Sequence, residues 1–169
     1  MKSELCKFCL KSGILCSKCQ TKLKTGKISD TDLKIAKLLL SLEEKYPQLQ
    51  EIYFHRAIET DSTLAIIVDP GDIARLLSAG GKIIREISDQ TGKKIRLLEH
   101  GTDTRKFLED LFAPFTIMTI NTIWLPDGTT ETRVILQHKG RKPPQIDTKA
   151  FKEIAKKVRN MTLRIEFSG

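Results

Sequence analysis

Cysteine is absent from the sequence beyond residue 19. A disulfide framework spread through the fold is therefore excluded. Long apolar runs are also missing: the longest, Ile35 to Leu42, is broken by Lys37 and Ser41. It is too short to span a bilayer, and the lysine-rich start lacks a following apolar signal core, so no membrane association and a cytosolic location are expected. Aromatic residues make up only 6% of the chain, with a single tryptophan, Trp124, which is expected in the core. The histidines His55, His100 and His138 lie far apart, and no nucleophile motif, metal-hydrolase spacing or deaminase signature accompanies them. No enzyme is expected. Acidic residues are scarce at the N-terminus, where residues 1–29 hold seven lysines against Glu4 alone.

What is present is a 169-residue chain, 40% hydrophobic, with a formal net charge of +8. That length buries one or two modest cores, and the composition is that of a globular protein. The positive excess favours polyanions, nucleic acid first, through counterion release and long-range attraction.

All four cysteines fall in Cys6-Lys7-Phe8-Cys9 and Cys16-Ser17-Lys18-Cys19. Two residues between paired thiols allow both to chelate one cation, and two such pairs supply the four soft ligands of a closed tetrahedral zinc site. Gly13, in the intervening stretch, eases the reversal that brings the pairs together. A redox pair would not explain the second copy, and an iron–sulfur cluster remains the rival. With every ligand drawn from protein, no position stays open for an activated water, so one structural Zn²⁺ is expected, shaping a knuckle or ribbon over residues 1–28 that presents Lys7, Lys11, Lys18 and Lys22.

Ser29-Asp30-Thr31-Asp32 reads as a helix start, and Leu33, Ala36, Leu39 and Leu40 as its apolar stripe, ending before Pro47. Two β-rich segments follow, from Glu51 to Ile58 and from Thr63 to Val68. A short helix from Ile73 to Leu77, a small-residue turn, a helix to about Gln90 and a strand from Lys94 to Leu98 complete the order α-β-β-α-α-β over residues 29–101. Residues 102–169 read as a helix from Thr104 to Phe112, strands over 115–125 and 129–137, a basic loop from His138 to Ile146, a helix capped by Asp147 and a last strand. This second unit is expected to repeat the first without one short helix. The fold class is α+β.

The turn Ser78-Ala79-Gly80-Gly81 lies between two helices and is followed by Lys82 and Arg85. Small residues let a nucleic-acid strand approach, helix-start amides point at its phosphates, and the two cations add charge. A nucleotide-triphosphate loop is excluded, since Ile83 stands where magnesium needs a hydroxyl. The pattern Gly81, Ile84, Ile87, Thr91-Gly92 and Ile95 resembles a KH domain, and the element order is similar to its type II form. Two such units in tandem behind a four-cysteine element resemble the archaeal NusA-like proteins.

That resemblance implies a loop clamping single-stranded RNA. Ser78, Ala79, Gly80, Gly81, Lys82 and Arg85 would contact the backbone, while Leu77, Ile84 and Ile95 line or support an apolar groove. Ser78 departs from the pattern, standing where a first glycine belongs. The second unit, degenerate in this respect, offers Lys139, Arg141 and Lys142 as a basic patch. The expected function is non-enzymatic RNA binding within transcription or translation machinery, on RNA polymerase or the small ribosomal subunit. The alternative is an adaptor docking there through the zinc element, with the KH folds as scaffold.

Overall fold

The computed structural model describes residues 1–168. Its contacts divide the chain into two compact units, one formed by Met1–Glu59 with Thr63–Thr102, the other by Thr60–Ser62 with the chain from Asp103 onward.

In the first unit, strand β1 (Lys2–Ser3) leads into two short helices, α1 (Lys7–Ser12) and α2 (Ser17–Lys24). Helix α3 (Asp30–Leu42) then packs on β2 (Tyr53–Glu59), which is followed by β3 (Thr63–Val68), α4 (Asp72–Leu77), α5 (Lys82–Thr91) and β4 (Lys94–Glu99). The sheet order is β1-β2-β3-β4, with β2 and β3 antiparallel and the other pairs parallel. A parallel partner needs a crossover, which α4 and α5 supply between β3 and β4.

The cysteine segment is part of this unit's core rather than an appendage. Met1, Leu5, Cys9, Leu10 and Ile28 are buried in the same cluster as Leu39, Phe54 and Ile66. Three polar ties reinforce the join. The N-terminal ammonium lies 3.3 Å from Glu43, the Tyr53 hydroxyl donates to Glu4 at 3.0 Å, and Lys22 Nζ donates to the Glu4 carbonyl at 2.5 Å. Lys22, expected on the outer surface, is thus turned inward to Glu4. The element is also helical where a knuckle or ribbon was expected, because Cys6 and Cys16 each sit in the extended residue that opens a helix.

Helix α3 begins as a capping box: Asp32 N–H donates to Ser29 Oγ at 3.1 Å, and Ser29 N–H donates to Asp32 at 2.8 Å. The other Asp32 oxygen accepts from the Ala57 amide of β2 at 2.7 Å, which draws this carboxylate inside to 2% exposure. That contact sets the rotation of the helix. The buried stripe is Asp32, Ile35, Ala36, Leu39 and Leu42, while Leu33 and Leu40, expected to lead it, lie only partly buried at its flanks.

The end of α3 is fixed to α5 through Glu86, which accepts from Tyr46 Oη at 2.8 Å and Lys45 Nζ at 3.1 Å. The tyrosine hydroxyl first, and then the ammonium, hold the Glu86 carboxyl below its ordinary 4.5. A depressed carboxylate stabilises the fold fully above the unfolded value and loses that contribution as pH falls through the lower folded one. Glu86→Gln is therefore expected to show a smaller drop in Tm than the parent when the pH is taken from above the ordinary 4.5 to well below it, as measured by thermal scans.

The second unit contains α6 (Thr104–Phe112), β5 (Ile117–Trp124), β6 (Thr130–Gln137), α7 (Thr148–Arg159) and β7 (Leu163–Ser168). Its strands pair β5-β6-β7, antiparallel then parallel, as β2-β3-β4 do. Asp103 and Asp147 cap the two helices by accepting from Lys106 and Ala150 amides at 2.8 and 3.1 Å. The helices meet where Phe112 and Phe151 pack edge to face at 5.1 Å. Between β6 and α7, where the first unit carries α4, there is only a loop. No helix among the described residues is long and apolar enough to cross a membrane.

Candidate metal centre and nucleic-acid interface

The local backbone explains how four cysteines converge. Cys6 and Cys16 precede α1 and α2, and Cys9 and Cys19 follow three residues later, so each pair faces one way from the first helical turn. Gly13, left-handed at φ 76°, ends α1 and lets the chain double back. The Cys16 amide donates to Cys9 Sγ at 3.1 Å, linking the two pairs directly.

All four sulfurs lie within 4.8 Å of one another. A divalent ion with four thiolate bonds of about 2.3 Å requires sulfur–sulfur edges of about 3.8 Å. Cys6 Sγ is 3.7 Å from that of Cys19 and 4.0 Å from that of Cys16, close to this value. Its 2.8 Å separation from Cys9 is shorter than such an edge but well beyond a disulfide bond of about 2.05 Å. The donor set fits a metal ion.

Protons distribute unevenly over these thiols. The Cys19 backbone amide is the chief influence pulling Cys16 down to about 6, and the hydrogen bond with Cys9 lowers Cys6. Cys9 is pushed up to about 12, chiefly by its bond to Cys6, and burial raises Cys19. Four adjacent thiolates repel one another, and a bound dication supplies the charge that lets all four ionise together.

The second candidate is the turn between α4 and α5. Ser78 is extended, and Ala79, Gly80 and Gly81 then adopt φ of 57°, 66° and 75° in succession. Three consecutive left-handed residues are costly unless glycine takes most of them, as here. Gln48 Nε2 donates to Ser78 Oγ at 3.2 Å, and Ser78 Oγ donates to the Arg75 carbonyl at 2.6 Å. Ser78 therefore anchors the entrance to the turn. Arg85 donates to the Gly80 carbonyl at 3.0 Å and braces it from the far side. Ala79, Gly80 and Lys82 are exposed, Gly81 partly so. Leu77 is 52% exposed, whereas Ile84 and Ile95 are partly buried against the core and support the turn from beneath.

Over part of its length the chain is similar to archaeal NusA proteins. It is 26% identical over 96 residues, 54% of this chain, to the probable transcription termination protein NusA of Methanocaldococcus jannaschii. It is 35% identical over 54 residues, 32% of this chain, to the protein of the same name from Methanococcus vannielii. The matches span 51% and 31% of those relatives' own lengths. No family model matches the chain. Among solved structures, APE1850 shares the fold at a TM-score of 0.51 and 16% identity, covering 79% of this chain and 96% of that one.

The structure brings the four cysteines together, and gathers residues 77–85 with Ile95 in the first unit. Lys139, Arg141 and Lys142 belong to the second unit, exposed on its loop. Sequence reasoning missed two arrangements. His55 and His100, distant in the chain, stack at 4.0 Å because β2 and the end of β4 both border β3, and His55 is bonded to Asp69. Trp124, expected in the core, is 75% exposed. It pairs with Thr130 at the turn end of the β5–β6 hairpin, whereas the buried residues Ile117, Val134 and Leu136 lie toward the other end. An apolar residue at a strand terminus carries no signal in its own sequence of whether a helix reaches over it.

Proposed function

We propose that the chain is a non-enzymatic RNA-binding protein of the transcription or translation machinery, built from KH-like units of type II, with one structural zinc at Cys6, Cys9, Cys16 and Cys19. The observation carrying the RNA-binding reading is the exposed left-handed turn at Ala79, Gly80 and Gly81, opening the ten-residue α5. A phosphate-bearing strand can approach such a turn closely, meet the free amides of the first helical turn and find Lys82 beside them. Leu77 adds an apolar surface for a base. Partial similarity to proteins named for transcription termination supports a place beside RNA polymerase. A small-subunit association would use the same surface.

The test is the Ala79→Asp, Gly80→Asp variant. A Cβ at Gly80 would meet nothing within 4 Å, and aspartate tolerates positive φ better than most residues, so the fold should persist. Affinity for a single-stranded RNA is expected to fall at least about tenfold through repulsion and blocked approach, with metal content and circular dichroism unchanged. Unaltered affinity would reject the loop as the binding element.

A second reading is favoured by one observation. Phe8 and Ile14 are each 73% exposed on the cysteine element, in company with Lys7 and Lys11. Exposed apolar side chains on a metal-stiffened surface suit a protein partner. In that case the element docks on the polymerase or ribosome and the KH-like folds act as scaffold. Phe8→Ser with Ile14→Ser would then reduce recovery of the partner complex without altering RNA affinity.

A further inference from the structure

The basic loop of the second unit borders an open cleft of about 430 Å³, within the range of about 300–1,000 Å³ typical of small-ligand sites. Its lining divides by chemistry. Phe115 and Pro144 give an apolar wall, and Phe115 is held by edge-to-face packing on Phe167 at 6.4 Å. His138 packs on the same Phe167 ring at 5.8 Å, and its Nδ1 is buried with no hydrogen-bond partner among the described residues. Thr116 and Gln137 contribute a hydroxyl and an amide, while Lys139 and Lys142 bring positive charge, and no acidic residue among the described residues lines the cleft.

We propose that this cleft binds one nucleotide, its base against the Phe115 wall and its phosphate at Lys139 and Lys142. An aromatic wall stacks any base, and two lysines unopposed by acid favour an anion. Thr116 and Gln137 supply the donors and acceptors that a base edge needs, and His138 lies beside them in the lining. A simple inorganic anion would leave the apolar wall unused, and an aliphatic ligand would leave the cations unused. The cleft gives the second unit a strand contact that does not depend on a glycine turn, of which it has none. The proposal rests on the RNA-binding reading above when the nucleotide belongs to a strand.

The full zinc-loaded chain is titrated with adenosine monophosphate and, separately, with a mixed-sequence single-stranded RNA hexamer, following the three histidine rings by ¹H–¹³C NMR. Because the Ala79→Asp, Gly80→Asp variant has its loop disabled, the same titrations on it isolate the cleft. The His138 signal is expected to move in both proteins while those of His55 and His100 stay in place. Lys139→Glu with Lys142→Glu, both exposed loop positions, should abolish the movement and weaken hexamer binding about tenfold. Movement with the hexamer alone identifies a residue within a strand, and movement with adenosine monophosphate identifies a free nucleotide as sufficient; either supports the site. A stationary His138 signal with both probes, or hexamer affinity unchanged by the two glutamates, would overturn it. Failure of the loop reading is distinct: the parent and the loop variant would then bind the hexamer equally.

Discussion

A strong zinc chelator is expected to unfold more than the cysteine segment. Structural zinc stabilises small peptides by about 10–16 kcal/mol at neutral pH, since the liganded fold does not exist without it. Here the same segment carries Met1, Leu5, Leu10 and Ile28 into the core of the first unit, and β1 adds to its sheet edge. Once the metal leaves, four thiols no longer hold α1 and α2 at a fixed angle, and these apolar residues lose the geometry that buries them. At about 1.5–3 kcal/mol for each large side chain returned to water, the first unit should lose on the order of 5 kcal/mol or more. Denaturant unfolding followed by circular dichroism, with zinc quantified in parallel, measures this. Cys9→Ser should reproduce the effect, because Cys9 is buried and also accepts the Cys16 amide. One zinc per chain is expected before chelation, and a chelator without effect on stability would reject the structural role.

Asp32→Ala is expected to cost about 3–5 kcal/mol, more than most truncations to alanine outside a core. The carboxylate receives the Ser29 amide with one oxygen and the Ala57 amide with the other, joining the start of α3 to β2 at a site almost sealed from water. Alanine leaves both amides without a partner and opens a void. Ser29→Ala removes only the cap to the Asp32 amide, and about 1 kcal/mol should go with it. Urea titrations of the two variants separate these outcomes: similar losses would mean that the bond across to β2 contributes little. Asn at position 32 keeps the shape and one acceptor, and should fall between them.

Much of this molecule was legible in local pattern. Cysteine spacing anticipated that the four thiols converge, since two paired motifs joined by a short loop are a local arrangement that sequence specifies. The strand over 63–68 and the helix over 104–112 coincide with the expected boundaries, because turn residues and caps next to them act locally. The small-residue turn at 78–81 was visible for the same reason. What its backbone does was not: the three left-handed residues are set by Gln48 and Arg85, from outside the turn.

Other features were decided by the tertiary structure alone. The face that α3 buries followed from a hydrogen bond across to Ala57, which placed a carboxylate where periodicity put leucine at the edge. The stacking of His55 on His100 followed from strand order, the exposure of Trp124 from its place at the turn end of the β5–β6 hairpin, and the cleft beside the basic loop from the packing of Phe115 and His138 on Phe167, 25 residues after Lys142. The grouping of the four cysteines, by contrast, was legible in the sequence. Structure added that they open two helices and that their segment is part of the first unit's core, because burial is a property of neighbours that a chain segment does not carry within itself.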